Sequence, residues 1–213
     1  MTEPNSAVPH STQVFLLSPA RCDGRRAGVL LNPDATFAMA EQLRSATGAP
    51  LGAVFAFLSG LYFRGKLAYA HAYGHRSDGL ATSFVITTNR GLVAPDVHVH
   101  RQDLLAFGDV DIAAGDSRYL APLRRDAERL DAELNAHARI VLLGSIATGK
   151  YADVLTGVFG DRLVFPTEFV GRGDMSRGGL LLRCVSERRE LSYAPVLGAV
   201  RRGKRPPKLE RVR

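Results

Sequence analysis

Short uninterrupted apolar runs alternate along this chain with longer stretches in which apolar residues recur every three or four positions. The first run, residues 14–18, closes at Pro19 and suits a buried strand followed by a loop rich in Arg, Asp and Gly. Asp34 stands where it can cap a helix running through Phe37, Ala40, Leu43 and Arg44, with Gly48 and Pro50 ending it. Residues 51–73 place Val54, Phe55, Leu58, Leu61, Tyr62, Leu67 and Tyr69 at helical spacing, with Gly60 and Gly65 as breaks. A β-branched run at 83–87 opens onto a loop at 89–96. Residues 119–134 form a charged amphipathic pattern whose apolar face is Leu120, Leu123, Ala127, Leu130 and Leu134. A third strand at 139–144, a helix at 150–159, a fourth strand at 162–165 and a fifth apolar stretch at 180–185 follow. Continuous apolar strands alternating with helices predict an α/β fold with a mostly parallel, doubly wound sheet of four to five strands. Such sheets bind ligands at the carboxyl ends of their strands, so the loops after residues 18, 88, 144 and 166 carry the expectation of function.

Composition narrows the setting. The chain has 213 residues, 46% hydrophobic and 23% charged, which suits one domain, expected at 14–199, between a flexible N-terminus at 1–13 and a basic arm at 200–213. The net charge of +7 is concentrated: residues 201–213 hold seven bases, Arg201, Arg202, Lys204, Arg205, Lys208, Arg211 and Arg213, against Glu210. That segment reads as a phosphate-neutralising arm or equally as a solubility tail, and the body alone is close to neutral. No run approaches the roughly 18 apolar residues of a membrane span, and the first 14 residues lack the order of a secretory signal, so a cytoplasmic protein without a membrane partner is expected. Cys22 and Cys184 are too few for a disulfide framework or a Cys-rich zinc site.

Four loop constellations bear chemistry. The segment from Gly144 to Lys150 fits GxxxxGK between a strand and a helix, yet Tyr151 stands where a hydroxyl should hold magnesium, so a phosphate-facing or purely structural turn is expected rather than an NTPase loop. Residues 167–179 combine four glycines with Arg172, Arg177 and Asp174 and read either as a ligand-facing loop or as a glycine turn with internal ion pairs. After the first strand come Arg21, Cys22, Asp23, Arg25 and Arg26; Asp23 is a carboxylate able to orient water or balance a cation, or simply a neutraliser of its arginine neighbours, and Cys22 is the weaker nucleophile candidate. His98 and His100 lack companions at ligand spacing, so no metal is expected, and Tyr62, Tyr69 and Tyr73 read as packing residues before base-stacking platforms.

Three segments taken in order resemble the YaaA-like proteins, a family linked to peroxide stress whose fold is compared to that of uracil-DNA glycosylases. Residues 58–64, from Leu58 through Gly60 and Phe63 to Arg64, with Tyr69 beyond them, resemble the family's Tyr-Thr-Gly-x-x-Phe helix start. Residues 86–96, ending in Pro95 and Asp96, resemble its strand, Ser-Ala-Lys-Tyr-Gly-Leu-Leu and Pro-Asp. Gly144, Tyr151, Leu155, Phe165, Pro166, Gly171 and Gly173 resemble its closing strand, helix, strand and glycine loop, and the likeness spans most of residues 14–183. Asn89 and Arg90 replace a lysine and an aromatic of the pattern, and residues 177–179 replace a glutamine-bearing end, so ligand contacts differ. The resemblance implies a uracil-DNA-glycosylase-like sheet and a nucleic-acid or nucleobase setting.

The leading expectation is therefore an N-glycosylase-like hydrolase that removes a damaged or modified base from nucleic acid, DNA before RNA, in repair or phage defence. Cleavage builds positive charge on the sugar and negative charge on the base, and needs a carboxylate, hydrogen-bond donors and phosphate-binding cations but no cofactor. Asp23, Asn89 and Asp174 are the catalytic candidates; Arg21, Arg25, Arg64, Arg90, Lys150, Arg172, Arg177, Arg201, Arg202, Lys204 and Arg205 are the nucleic-acid-binding ones. The alternatives are a non-enzymatic nucleic-acid-binding protein of stress response and a small-molecule nucleotide enzyme using the Gly144 turn.

Overall fold

The computed structural model describes residues 12–112 and 115–207. Its elements, in order, are β1 (Gln13–Leu17), α1 (Arg25–Leu31), α2 (Ala38–Arg44), β2 (Ala49–Pro50), α3 (Leu51–Ser59), α4 (Leu61–Tyr73), β3 (Ser83–Ile86), β4 (Leu92–Val93), β5 (His98–Val99), α5 (Arg101–Gly108), α6 (Ser117–Glu133), β6 (Arg139–Leu143), α7 (Gly149–Phe159), β7 (Leu163–Pro166), α8 (Asp174–Ser186) and β8 (Tyr193–Pro195). The main sheet has six strands in the order β4-β3-β1-β6-β7-β8, more than the four to five expected. Its inner strands β3, β1, β6 and β7 are parallel, while β4 and β8 add antiparallel edges. Both edge strands are too short, two and three residues, to show as apolar runs.

The continuous apolar runs are explained by burial on both faces. In β1, Phe15 and Leu17 join one core with Val85, Val141 and Leu143, under α3, α4 and α8. Val14 and Leu16 point the other way and join Ile86, Ile140 and Leu142 under α6 and α7. The break in the long apolar stretch falls at Gly60, whose φ of 62° separates α3 from α4. Gly65 lies inside α4 and does not break it.

Two expectations are corrected at the chain's later half. The fifth apolar stretch, residues 180–185, adds no strand to the sheet: it lies in α8, whose buried positions Arg177, Leu180, Leu181 and Cys184 follow a helical period. A run of Leu, Leu, Leu, Arg, Cys and Val looks continuous only because the side chains between the buried positions are themselves partly covered. The glycine-rich segment is likewise less of a loop than expected, since α8 begins at Asp174 and takes in Gly178. A Cβ on Gly178 would meet the Leu61 carbonyl oxygen and Tyr62 Cα at 2.7 Å, so this glycine lets α8 lie directly on α4. At the other end, Asp34 does not cap α2, whose N-cap position is Phe37.

Candidate functional site at the β1 and β6 strand ends

Strand order fixes the place. From β1 the chain crosses to β3 on one side, and from β6 to β7 on the other, so the loops leaving the adjacent ends of β1 and β6 diverge. That divergence opens a crevice at the carboxyl ends of the parallel strands. Two adjoining cavities occupy it, of ≈ 530 and ≈ 400 Å³, within the range of ligand sites. Pro19, Ala20, Arg21, Ile112 and Lys150 line both.

Asp23 lines the first cavity and Asp174 the second, so the two carboxylates border adjoining parts of one crevice. Arg21 Nε donates to Asp23 at 2.7 Å, and this exposed hydrogen bond holds the Asp23 carboxyl below the usual carboxylate range. Asp174, at the first turn of α8, stays largely exposed and accepts at 3.5 Å from Arg177. Arg177 itself is buried; its Nε and Nη2 donate to the Phe169 carbonyl at 3.3 and 3.1 Å, so it braces the segment before α8 from within. Arg172 does the same nearer the surface, donating to the Glu168 and Pro207 carbonyls and to Ser176 Oγ.

The floor of the second cavity holds residues that pattern analysis passed over. Ser18, immediately after β1, is buried but lines the cavity. Beneath it Lys66 of α4 is 1% exposed, with Nζ 2.6 Å from the Ser18 carbonyl oxygen and 3.0 Å from Ser18 Oγ. The ammonium sits 4.6 Å from the Tyr62 ring centre and 4.4 Å from that of Phe63. Burial brings its proton affinity down to about 7; Asp174 works against that shift and Arg177 with it. Tyr151 reaches the same floor, its Oη accepting from the Ser145 amide at 2.9 Å and sharing a hydrogen bond with Ser18. The turn that fits GxxxxGK thus has a phenol oxygen on its Ser145 amide. Gly144 permits this crowding, because a Cβ there would meet Tyr151 Oη at 2.7 Å and Ser18 Cβ at 2.8 Å. Tyr62 Oη, buried beside the same cavity, is held up from its ordinary range by burial, with the neighbouring Arg177 guanidinium working against that shift.

Lys66 was the residue most open to discovery from sequence. It falls in the middle of the apolar stripe formed by Tyr62, Phe63, Tyr69 and Ala70, where a solvated lysine has no place.

Other candidates lie elsewhere. Asn89 lines neither cavity; its side-chain amide donates to the Ala106 carbonyl at 3.0 Å and so ties the β3 loop to α5. Arg90 pairs with Asp103 and lies over the Phe107 ring. Arg64 lines a separate groove with Arg26 and Met175, and Arg25 is exposed on α1. Cys22 is buried in the wall of the first cavity, and burial pushes its thiol up to about 12, which removes it as a nucleophile at neutral pH. His98 and His100 turn their rings to the Thr47 and Ala46 carbonyls, and no cluster of three or more His, Cys, Asp or Glu able to hold a metal occurs among the described residues. Tyr69 bonds Tyr193 and the Leu191 amide, and Tyr73 donates to the Cys184 carbonyl, as packing residues do.

The basic arm is described as far as residue 207; Lys208, Arg211 and Arg213 lie outside the described residues. Arg201 pairs with Asp153 of α7 at 2.7 Å, and the backbone of Gly203 and Lys204 packs against Val170 and Gly171, while Arg202, Lys204 and Arg205 are exposed. No helix among the described residues is long and apolar enough to cross a membrane. Set against known proteins, the chain matches no family model, no curated protein and no solved structure.

Proposed function

We propose that the crevice at the β1 and β6 ends is the active site of a nucleic-acid-acting hydrolase that cleaves an N-glycosidic bond and releases a base. One observation carries the reading: Asp23 and Asp174 line two adjoining cavities of a single crevice, with Arg21 and Lys150 common to both. The leaving base takes electrons with it and the sugar gains positive charge, so a fixed carboxylate beside the sugar lowers the barrier. Asp23, kept ionised by Arg21, suits that task at any pH near neutrality. Lys150 and Arg21 suit the phosphates on either side of the extruded nucleotide, and Ser145 and Tyr62 line the cavity that the departing base would occupy. The likeness to the uracil-DNA-glycosylase-like families favours the same setting, and the doubly wound parallel core agrees with it at the level of fold class.

The test is incubation with end-labelled single- and double-stranded DNA carrying deaminated, oxidised or alkylated bases, scored for free base and abasic sites. Asp23→Asn is expected to abolish release with substrate affinity within a few fold. Asp174→Asn is expected to raise the half-saturating concentration and keep single-turnover cleavage. The reverse pattern exchanges the two roles, and full activity in both variants removes glycosidic chemistry from this crevice.

A further inference from the structure

Lys66 and Ser18 remain unused by that reading, and their arrangement has its own chemistry. An amine buried against a serine hydroxyl, with no water layer between them, is the relation of a general base to a nucleophile. The geometry points to Ser18 as a covalent nucleophile, deprotonated by Lys66, that attacks the acyl carbon of an ester or amide joined to an anionic carrier bound by Arg21 and Lys150.

Each part stands on a contact. Nζ is 3.0 Å from Ser18 Oγ, within proton-transfer reach, and its 2.6 Å contact to the Ser18 carbonyl fixes the amine's position. As an ammonium the group donates to both Ser18 oxygens; once it loses a proton it keeps one N–H on the carbonyl and turns its lone pair to the Oγ proton, beside the Tyr62 and Phe63 rings. The charged and titratable groups around it are few. Asp174 and Arg177 act on it from α8, Tyr62 adjoins it on α4, and Tyr151 reaches Ser18 from α7. Burial outweighs Asp174, so the amine spends its time unprotonated at mildly alkaline pH, as a base must. Ser18 lines the ≈ 400 Å³ cavity, and Tyr62, whose hydroxyl lies beside the Arg177 guanidinium, closes the cavity next to it.

In the first step the Oγ–H bond breaks, its proton passes to Nζ, and Oγ bonds the acyl carbon while the carbonyl pair moves onto oxygen. Collapse of that adduct breaks the bond to the alcohol or amine, which leaves with the proton from Nζ. Water then attacks the acyl-serine by the same path, giving the acid and restoring Ser18.

This inference does not rest on the glycosidic reading, and its experiment uses no nucleic acid, so the two fail separately. The full-length protein is treated with a fluorophosphonate probe from pH 5.5 to 9, and adducts are counted by intact mass and mapped by peptide sequencing. The expected result is one adduct, on Ser18, formed half-maximally near pH 7, and at least 100-fold slower in Lys66→Met. Absence of a Ser18 adduct at pH 9, or equal rates in Lys66→Met, overturns the proposal. Because Lys66→Met can fail to fold, Ser18→Cys gives a second reading of the same base. Alkylation of the introduced thiol by iodoacetamide is expected to be half-maximal near pH 7, and a profile centred on the ordinary thiol value of about 8.5 overturns the pairing.

Discussion

At the scale of single residues, burial separates the side chains that act from those that hold. Asn89 belongs to the second group, since its amide donates to the Ala106 carbonyl while its own oxygen is buried without a partner among the described residues. Asn89→Ala is therefore expected to destabilise the protein by about 1–2 kcal/mol, the worth of one buried hydrogen bond, and to leave any base preference unaltered. Urea unfolding beside a base-release assay checks both halves. Lys66 leaves a different mark. Below pH 7 folded and unfolded chains both hold its proton, and the full penalty of a buried charge applies. Between pH 7 and the ordinary lysine range near 10 the folded protein has lost the proton and the unfolded chain has not, so stability rises with pH, by up to about 1.4 kcal/mol per pH unit. In Lys66→Met that rise is expected to vanish, and parallel stability curves for the two proteins at pH 6, 8 and 9.5 would count against it.

At the scale of elements, legibility followed the burial of whole faces. Runs 14–18, 83–87 and 139–144 were readable as strands because the sheet is covered on both sides and each holds three or four consecutive apolar residues. The break at Gly60 was readable from the glycine, though Gly65, of the same type, proved to be a packing position. α8 misled because it too is wrapped, by α4 on one side and by the chain around it, so an apolar hexamer in a helix looked like one in a strand. The α4 to α8 contact rests on small residues: a Cβ on Gly65 would stand 2.8 Å from the Gly178 carbonyl oxygen. Gly178→Ala is expected to cost roughly 1–3 kcal/mol, as overpacking does, despite alanine's better helix propensity. Thermal unfolding of this variant against Gly157→Ala, which meets nothing within 4 Å in α7, isolates the packing term.

At the scale of the whole molecule, topology did what no single motif could. Sequence placed Asp23 and Asp174 on loops at strand ends, and the strand order put those ends beside one crevice. Lys66 stands out alone as a lysine in an apolar stripe, but its pairing with Ser18 does not, because the two are 48 residues apart and become neighbours only when α4 packs beneath the end of β1. The arm was legible as charge but not as packing: the Gly203 and Lys204 backbone lies against Gly171 and the Val170 side chain, which leaves no trace in composition. Removal of residues 201–213 is expected to lower nucleic-acid affinity and flatten its salt dependence in proportion to the phosphates neutralised. A cut after residue 207 that leaves the salt slope intact would assign the binding to Arg202, Lys204 and Arg205.

The glycine contact between α4 and α8 also acts as a gauge for a proton. Gly65 precedes Lys66, so the distance at which α8 rests on that turn decides how deep the amine sits and how thoroughly water is kept from it. A single methyl group at position 178, pushing the two helices apart by a few tenths of an ångström, would let solvent reach the amine and return it toward the ordinary lysine value. The spacing of two helices thereby sets the depth of a buried ammonium, and with it the pH at which that group gives up its proton.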